Sequence, residues 1–173
     1  VVVLPDRTLS RVESNEYLDA FRAATGIWFG GGRQWRFVDA YMDTKVQALM
    51  HDLLKRGGVI MGSSAGASIQ AEYLVRGNPL GNTDVMADGY ERGLGFLSGT
   101  AIDQHFTSRD RFSDLTAVVA RYPQILGIGI DGGTAIVVQG NSAEVVGKGG
   151  VHFFDARKSR EPGDADYETT RGL

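Results

Sequence analysis

Short apolar runs alternate with amphipathic segments along the first half of the chain. Residues 27–29 and 59–61 are apolar runs of the kind that forms buried strands, and glycine-rich residues follow each of them closely. Between them, residues 44–54 place apolar side chains at helical spacing behind a Thr44–Gln47 capping pattern. Strands that alternate with helices in this way are typical of a parallel sheet. The pattern therefore predicts an α/β fold.

The second half of the chain is richer in strand patterns than the first. The turn residue Pro123 ends a helical pattern, and glycines punctuate the apolar runs that follow. We predict one domain over residues 1–155 with a strand-rich C-terminal end, followed by a polar tail over residues 156–173. The further elements that the pattern predicts are helices at 16–24, 34–42 and 114–122, a turn-rich stretch at 77–99, strands at 101–102, 126–130, 134–138, 143–146 and 151–154, and a hairpin turn at 139–141.

The composition excludes several classes of function. The 173 residues are 42% hydrophobic and 23% charged, which fits a globular domain with a sizeable core. The net charge is −3 and the sequence has no basic stripe, so we expect no nucleic-acid partner. There are no cysteines, which excludes disulfides, thiolate metal sites and cysteine nucleophiles. No apolar run approaches the roughly 18 residues of a membrane span. We expect no membrane partner, no cofactor and no metal.

The chain opens on an apolar strand pattern at residues 1–4, without a methionine or a signal-peptide pattern. A buried strand at this point is typical of the middle of a domain, so we expect earlier strands of the sheet to be absent. An edge strand exposed in this way favours association or instability. A homodimer is the oligomer that we consider. The expected location is the cytoplasm.

Residues 58–66 carry the strongest chemical pattern. A short apolar strand leads into Gly62-Ser63-Ser64-Ala65-Gly66, the G-x-S-x-G pattern of a nucleophile elbow, and a helix-compatible segment follows. The flanking glycines remove the Cβ atoms that would crowd the bend. Ser64 then lies near a helix N-terminus, where free N–H groups stabilise an oxyanion. We interpret Ser64 as a catalytic nucleophile, with a simple small-residue turn as the alternative.

A serine nucleophile needs a general base, and the chain has three histidines. His51 lies within a helix pattern, where a solvated helix face is its expected role. His152 lies in a late strand without an acidic or serine motif around it. His105 ends an apolar strand pattern among polar residues, and α/β sheets assemble their sites at strand ends. We therefore predict that His105 is the base.

Two glycine-rich turns are expected to supply the oxyanion donors. Gly30-Gly31-Gly32 follows a strand and lacks the spacing of a dinucleotide-binding or phosphate-binding loop. The N–H of Gly31 or Gly32 is expected to act together with the N–H of Ala65. An anion-binding turn and a purely structural turn are alternatives for the triple glycine.

Four motifs carry a family resemblance. They are Gly31-Gly32-Arg33-Gln34, Gly-Ser-Ser-Ala-Gly-Ala at 62–67, Asp103-Gln104-His105-Phe106 and Gly-Ile-Gly-Ile-Asp at 127–131. Their order resembles that in cyanophycinases, which belong to the serine peptidase family that includes aspartyl dipeptidase E. The resemblance covers residues 1–155 and implies a three-layer, mostly parallel sheet like that of class I glutamine amidotransferases, with a flavodoxin-like wrap. It also implies a peptide or Asp–Arg polymer substrate with β-linked units.

The resemblance assigns roles to individual positions. It places the nucleophile at Ser64 and the base at His105. Two further positions, Arg109 and Arg111, suit the binding of a substrate carboxylate. The alternative for these two arginines is surface ion pairing with Asp110 and Asp114. The substrate pocket that the resemblance implies consists of Gln34, Asp103, Gln104, Arg109 and Arg111.

The chain departs from the family pattern at the acid that orients the histidine. The family usually has a glutamate after the Gly-Ile-Asp run, and this chain has Gly132 there. Asp131 is the orienting acid that we consider instead, although neighbouring side chains of an extended segment point to opposite faces. Asp103 and Glu91 are alternatives for this role. Loss of the triad acid in other serine hydrolases costs about 10⁴ in kcat. Without a carboxylate partner, the pKa of His105 is expected at or below about 6.5.

Three functions follow from this reading. The first is a cyanophycinase-like serine peptidase that forms an acyl-enzyme on Ser64. The second is an aspartyl dipeptidase or another isopeptidase with the same chemistry. The third is a non-catalytic relative that binds a ligand, because Gly132 replaces the acid. Arg33 and Asp114 also differ from the residues that cyanophycinases tend to carry, which weakens the case for the polymer more than the case for a hydrolase.

Overall fold

The computed structural model describes residues 8–157. The chain divides after Ile102 into two compact units, and the division falls inside one strand, Leu97–Gln104. The predicted strand at residues 1–4 and most of the predicted polar tail lie outside the described residues. The single domain expected over residues 1–155 stays a prediction.

The first unit alternates helices with short strands, and its strand pairs are parallel. Its elements are α1 (Leu9–Val12), α2 (Asn15–Ala23), β1 (Gly26–Phe29), α3 (Trp35–Tyr41), α4 (Lys45–Lys55), β2 (Val59–Gly62), α5 (Ala65–Ser68), β3 (Ala71–Tyr73) and most of β4 (Leu97–Gln104). The first pair joins β1 to β2, and the second joins β3 to β4. α3 and α4 make the crossover between β1 and β2, because parallel neighbours cannot be joined by a tight turn. The predicted α/β character is confirmed here.

Side-chain caps fix where the two longest helices of this unit begin. Ser14 Oγ accepts a hydrogen bond from Tyr17 N–H before α2, and Thr44 Oγ1 accepts one from Gln47 N–H before α4. The Gln47 side chain returns to accept from Asp43 N–H at 2.8 Å, one residue earlier than in a standard capping box. The predicted cap at Thr44 is therefore confirmed.

The core of the first unit lies between its helices and β1. Phe29, the last residue of β1, is buried, and its ring centroid lies 5.3 Å from that of Phe37 and 6.3 Å from that of Tyr41. Edge-to-face ring contacts of this kind stabilise a core beyond simple burial. The packing holds the end of β1, where the triple glycine begins. The helical residues buried with Phe29 include Val12, Leu18, Phe21, Val46 and Met50.

The second unit is built from antiparallel strands and one longer helix. Its elements are α6 (Phe112–Arg121), β5 (Leu126–Ile130), β6 (Thr134–Gln139), β7 (Ser142–Gly147) and β8 (Val151–Asp155), preceded by a 3₁₀ turn at Thr107–Arg109. β5 pairs with β8, and β6 pairs with β7 through a turn at Gly140 and Asn141, where Gly140 has φ 59°. The predicted hairpin is confirmed, and the β5–β8 and β6–β7 pairs are both antiparallel. None of the helices between residues 8 and 157 has the length and apolar character that a membrane span requires.

Candidate functional site

Ser64 stands in an unusual backbone conformation between β2 and α5. β2 ends at Gly62, α5 begins at Ala65, and Ser64 has φ 54° and ψ −121°. Residues other than glycine seldom adopt positive φ, and such a conformation costs on the order of 1–3 kcal/mol unless the surroundings enforce it. The predicted strand–turn–helix context of Ser64 is confirmed, although α5 is only one turn long.

The two glycines of the motif are required by close backbone packing. A Cβ on Gly62 would overlap the carbonyl of Gly66, and a Cβ on Gly66 would overlap the carbonyl of Phe29. β1 and β2 therefore approach the start of α5 more closely than any side chain allows. This packing forces the chain through the bend at Ser64.

The triple-glycine turn lies beside Ser64. A Cβ on Gly31 would stand 3.5 Å from Ser64 Cβ, which is ordinary van der Waals distance, and Gly32 has φ 137°. Ala65 is the first residue of α5, so its N–H has no acceptor within the helix. The first unit thus brings two of the predicted oxyanion residues, Gly31 and Ala65, next to the predicted nucleophile, with Gly32 adjoining them.

Two other residues of the glycine-turn motif have different surroundings. Gln34 is buried at the start of α3. The Arg33 guanidinium donates through Nη2 to the carbonyl of Asn78 at 2.6 Å and to that of Gly81 at 2.8 Å. Arg33, one of the departures from the family pattern, therefore anchors the predicted turn-rich stretch to the glycine turn.

His105 stands in a second left-handed turn, directly after β4. It has φ 54°, and its carbonyl accepts hydrogen bonds from Arg109 N–H and from Ser108 Oγ, each at 3.1 Å. The next residue, Phe106, is fully buried and donates its N–H to the carbonyl of Ile130 at 3.2 Å. The strand end predicted for His105 is confirmed, with a longer strand than the sequence indicated.

The charges around His105 favour its neutral form. Burial lowers the pKa of its imidazole below the ordinary value, and the positive charges of Arg109 and Arg111 lower it further, while Asp103 acts in the opposite direction. The direction agrees with the expectation for a histidine without an orienting glutamate. The main causes are burial and the two arginines.

Arg111 and Asp103 form a buried ion pair. The Nη1 of Arg111 lies 2.6 Å from Asp103 Oδ1, and the two side chains are 5% and 0% exposed. The same Nη1 donates to the carbonyl of Gln104 at 2.7 Å, and Gln104 N–H donates to Asp103 Oδ1 at 3.0 Å. The pair thus braces the end of β4, whereas Arg109 is exposed. Direct substrate contact by these residues stays a prediction.

Asp131 belongs to a cluster that the sequence did not indicate. Its Oδ1 accepts from Thr107 N–H and its Oδ2 from Gly150 N–H, each at 3.0 Å, and Oδ2 lies 3.4 Å from His152 Nε2. Burial raises the pKa of Asp131, but the hydrogen bonds from Thr107, Gly150 and His152 outweigh it and hold the pKa at about 2. The cluster depends on strand pairing, which the local sequence pattern does not contain. β5–β8 pairing sets His152 opposite Gly129, two residues before Asp131 and on the same face.

Gly132 has room for a side chain. No heavy atom lies within 4 Å of a Cβ built on it, and its backbone does not have the positive φ of its neighbour Gly133. The local structure therefore does not require glycine at the position where the family usually has a glutamate.

The comparisons with known proteins identify a peptidase family. The family model described as Peptidase family S51 matches residues 7–146. The chain is 32% identical over 159 residues to the cyanophycinase of Trichormus variabilis and 32% identical over 158 residues to that of Geminocystis herdmanii. These matches cover 90% of this chain but 53% and 58% of the relatives, so the chain spans about half the length of the curated relatives it matches.

Solved structures support the fold. A peptidase from an acI-B1 Actinobacterium matches with a TM-score of 0.63 at 22% identity, over 86% of this chain and 60% of that one. A Listeria monocytogenes EGD-e protein described as a candidate peptidase E matches with a TM-score of 0.59 at 19% identity, over 78% and 65% of the two chains. The mixed α/β fold is therefore shared with peptidase E-like structures. With a family model that matches most of its length, this chain belongs to peptidase family S51.

Proposed function

We propose that the chain carries the nucleophile, the base and the oxyanion donors of a serine peptidase that hydrolyses α- or β-aspartyl peptide bonds, such as those of an Asp–Arg polymer. The observation that carries this proposal is the positive φ of Ser64 at a strand-to-helix turn, with Gly31 against its Cβ. Membership of peptidase family S51 and the cyanophycinase relatives support it. The proposal includes the three-layer, mostly parallel arrangement of class I glutamine amidotransferases.

The mechanism follows from the residue types at the two turns. His105 removes the proton from Ser64 Oγ as the oxygen attacks the scissile carbonyl, and the N–H groups of Ala65 and of Gly31 or Gly32 hold the oxyanion. The tetrahedral intermediate collapses, and the leaving amine takes the proton from the His105 imidazolium. A water molecule then releases the product from the acyl-enzyme by the same steps. A lowered pKa keeps His105 neutral and ready to accept a proton at pH 7.

The substrate carboxylate is assigned to Arg109. Arg109 is exposed, whereas Arg111 is committed to Asp103 inside the second unit. In this proposal Arg109 pairs with a carboxylate of the substrate. Gln34 and Gln104 contribute polar contacts, and the Asp103–Arg111 pair holds the end of β4 that carries Gln104.

A catalytically weakened relative is the second candidate, and Gly132 is the observation that favours it. Without an orienting carboxylate, a serine hydrolase retains its nucleophile and oxyanion donors but loses about 10⁴ in kcat. Slow acylation of Ser64 with little turnover is the behaviour that distinguishes this candidate from an efficient peptidase.

The test is covalent labelling of the folded 173-residue chain with a fluorophosphonate probe, mapped by mass spectrometry. We expect an adduct on Ser64, none in Ser64→Ala, and an unchanged adduct in the matched control Ser63→Ala. Comparison of β-Asp-Arg polymer with α-aspartyl dipeptides then separates a cyanophycinase-like activity from an aspartyl dipeptidase. A folded chain that is labelled on other serines but not on Ser64 would overturn the proposal.

A further inference from the structure

The Asp131 carboxylate connects the His105 turn to two other segments of the second unit. One of its oxygens holds Thr107 N–H, two residues after His105, and the other holds Gly150 N–H in the turn before β8. Thr107 Oγ1 also lies 3.4 Å from His152 Nε2, the same ring nitrogen that faces Asp131. The carboxylate therefore holds the backbone of Thr107, and the imidazole lies next to its hydroxyl group.

The backbone of His105 needs such support. A positive φ at a non-glycine residue persists only where the surroundings over-determine it. Two anchors come from Phe106, whose N–H bonds to Ile130 and whose ring fills the space that a side chain on Gly129 would occupy. The bond from Thr107 to Asp131 is a third, and all three attach the turn to β5 or to the residue after it.

We propose that Asp131 is a positioning residue that holds the positive-φ turn at His105 through Thr107 N–H. It does not act as an acid that orients the imidazole ring. This inference rests on the proposed function, because it assigns Asp131 a part in presenting the base to Ser64. It differs from the orienting-acid hypothesis in the group on which Asp131 acts.

The charges in the second unit support this distinction. The groups whose charges act on the His105 ring are Arg109, Arg111 and Asp103, whereas the titratable side chain bonded to Asp131 is His152. Both oxygens of Asp131 accept from backbone N–H groups. Loss of an orienting acid lowers the pKa of the base, whereas loss of a positioning residue lowers the rate at every pH.

The experiment measures the rate of Ser64 labelling by the fluorophosphonate probe from pH 5 to 9, in the full chain and well below the melting temperature. For Asp131→Ala we expect the plateau rate to fall by about 10–100-fold, since a misplacement of about 1 Å can cost 10²-fold. The midpoint of the pH profile stays where it is, and amide exchange at Thr107 becomes faster. Asp131→Asn keeps one acceptor oxygen, so we expect its plateau rate to fall only several-fold. This variant provides the measurement if Asp131→Ala does not fold.

Thr134→Ala is the matched control. Thr134 Oγ1 accepts from Gly149 N–H at 2.8 Å, so the variant loosens the same turn before β8 without touching Thr107. We expect its labelling rate to equal that of the wild type.

Each other outcome has a definite meaning. An unchanged rate in the Asp131 variants overturns the inference and leaves the proposed function standing. A downward shift of the midpoint also overturns it, because Asp131 is then the orienting acid. Absence of Ser64 labelling in the folded wild type and in Gly132→Glu overturns the proposed function and, with it, the role of Asp131.

Discussion

Ser64 and His105 occupy similar turns that are stabilised in different ways. Each follows a strand, precedes a short helical turn and has φ 54°. The Ser64 turn is enforced by glycines that let backbone segments touch, whereas the His105 turn is held by a buried ion pair and by the Asp131 carboxylate. The first turn is therefore expected to respond to added volume, and the second to lost charge and to pH.

The largest effect is expected at Gly132, the position where the family usually carries the acid that orients the base. Gly132→Glu places a carboxylate in open space at the position where the family usually has one, so turnover should rise by about 10²–10⁴-fold. Steady-state kinetics on β-Asp-Arg polymer measures the gain. Gly132→Gln has the same length without the charge and should give little. Equal rates for glutamate and glutamine would show that an orienting charge is not what the site lacks.

The buried ion pair should dominate the stability of the second turn. Arg111→Met leaves the Asp103 carboxylate buried without its partner, and we expect a loss of about 3–5 kcal/mol in the free energy of unfolding. Urea unfolding provides the measurement. The matched control is Arg22→Met, which removes an equally short but exposed pair with Asp19 and should cost about 0–1 kcal/mol. Similar losses in the two variants would refute the structural importance of burial at this pair.

Added volume should damage the first turn. In Gly66→Ala the new methyl group overlaps the carbonyls of Phe29 and Gly30, so we expect a loss of about 1–3 kcal/mol in unfolding free energy. Thermal or urea unfolding measures it. Gly30→Ala adds the same methyl group in open space and should cost nothing. If Gly66→Ala were as stable as Gly30→Ala, the result would contradict the close packing of β1 against the start of α5.

Acid should weaken the second turn through Asp131. Because its pKa lies at about 2 in the folded chain, below the ordinary 3.8, the stability that it contributes is complete above about pH 4. That contribution is lost as the pH falls through about 2. Urea unfolding between pH 5 and 2 should show a steeper loss in the wild type than in Asp131→Asn. Parallel curves would mean that Asp131 forms no such bonds.

The smallest effect is expected from release of backbone strain. Ser64→Gly should raise the free energy of unfolding by about 1 kcal/mol, because glycine adopts positive φ without steric cost, while labelling is abolished. Ser63→Gly, at the preceding position, should give no such gain. A destabilised Ser64→Gly would indicate that the Ser64 side chain contributes more to the turn than its backbone conformation costs.

The sequence predicted the first turn better than the second. The Ser64 turn is determined by five consecutive residues, so its glycines and its bend could be predicted from the local sequence. The same holds for the helix cap at Thr44, which depends on residues 44–47. β3 was not predicted and β4 was expected only at residues 101–102, because the glycines and polar residues of Leu97–Gln104 obscure its strand pattern.

The contacts of the second turn depend on pairing that no local pattern contains. Arg111 pairs with Asp103, eight residues earlier in the chain, whereas Asp110 and Asp114, the partners considered as the alternative, lie nearer in sequence. The partnership of Asp131 with His152 requires the antiparallel register of β5 and β8, and His152 has no chemical motif of its own.

His51, expected on a solvated face, is half-buried with Nε2 2.9 Å from the Leu94 carbonyl.

The most direct test of the account asks whether the two turns serve one site. Fluorophosphonate labelling of Ser64 is measured in the wild type, in His105→Gln and in the matched control His51→Gln, whose amide can still donate to the Leu94 carbonyl. We predict that His105→Gln slows Ser64 labelling by at least about 100-fold and removes its pH dependence, while His51→Gln changes neither. Equal labelling of Ser64 in His105→Gln and the wild type would contradict the account.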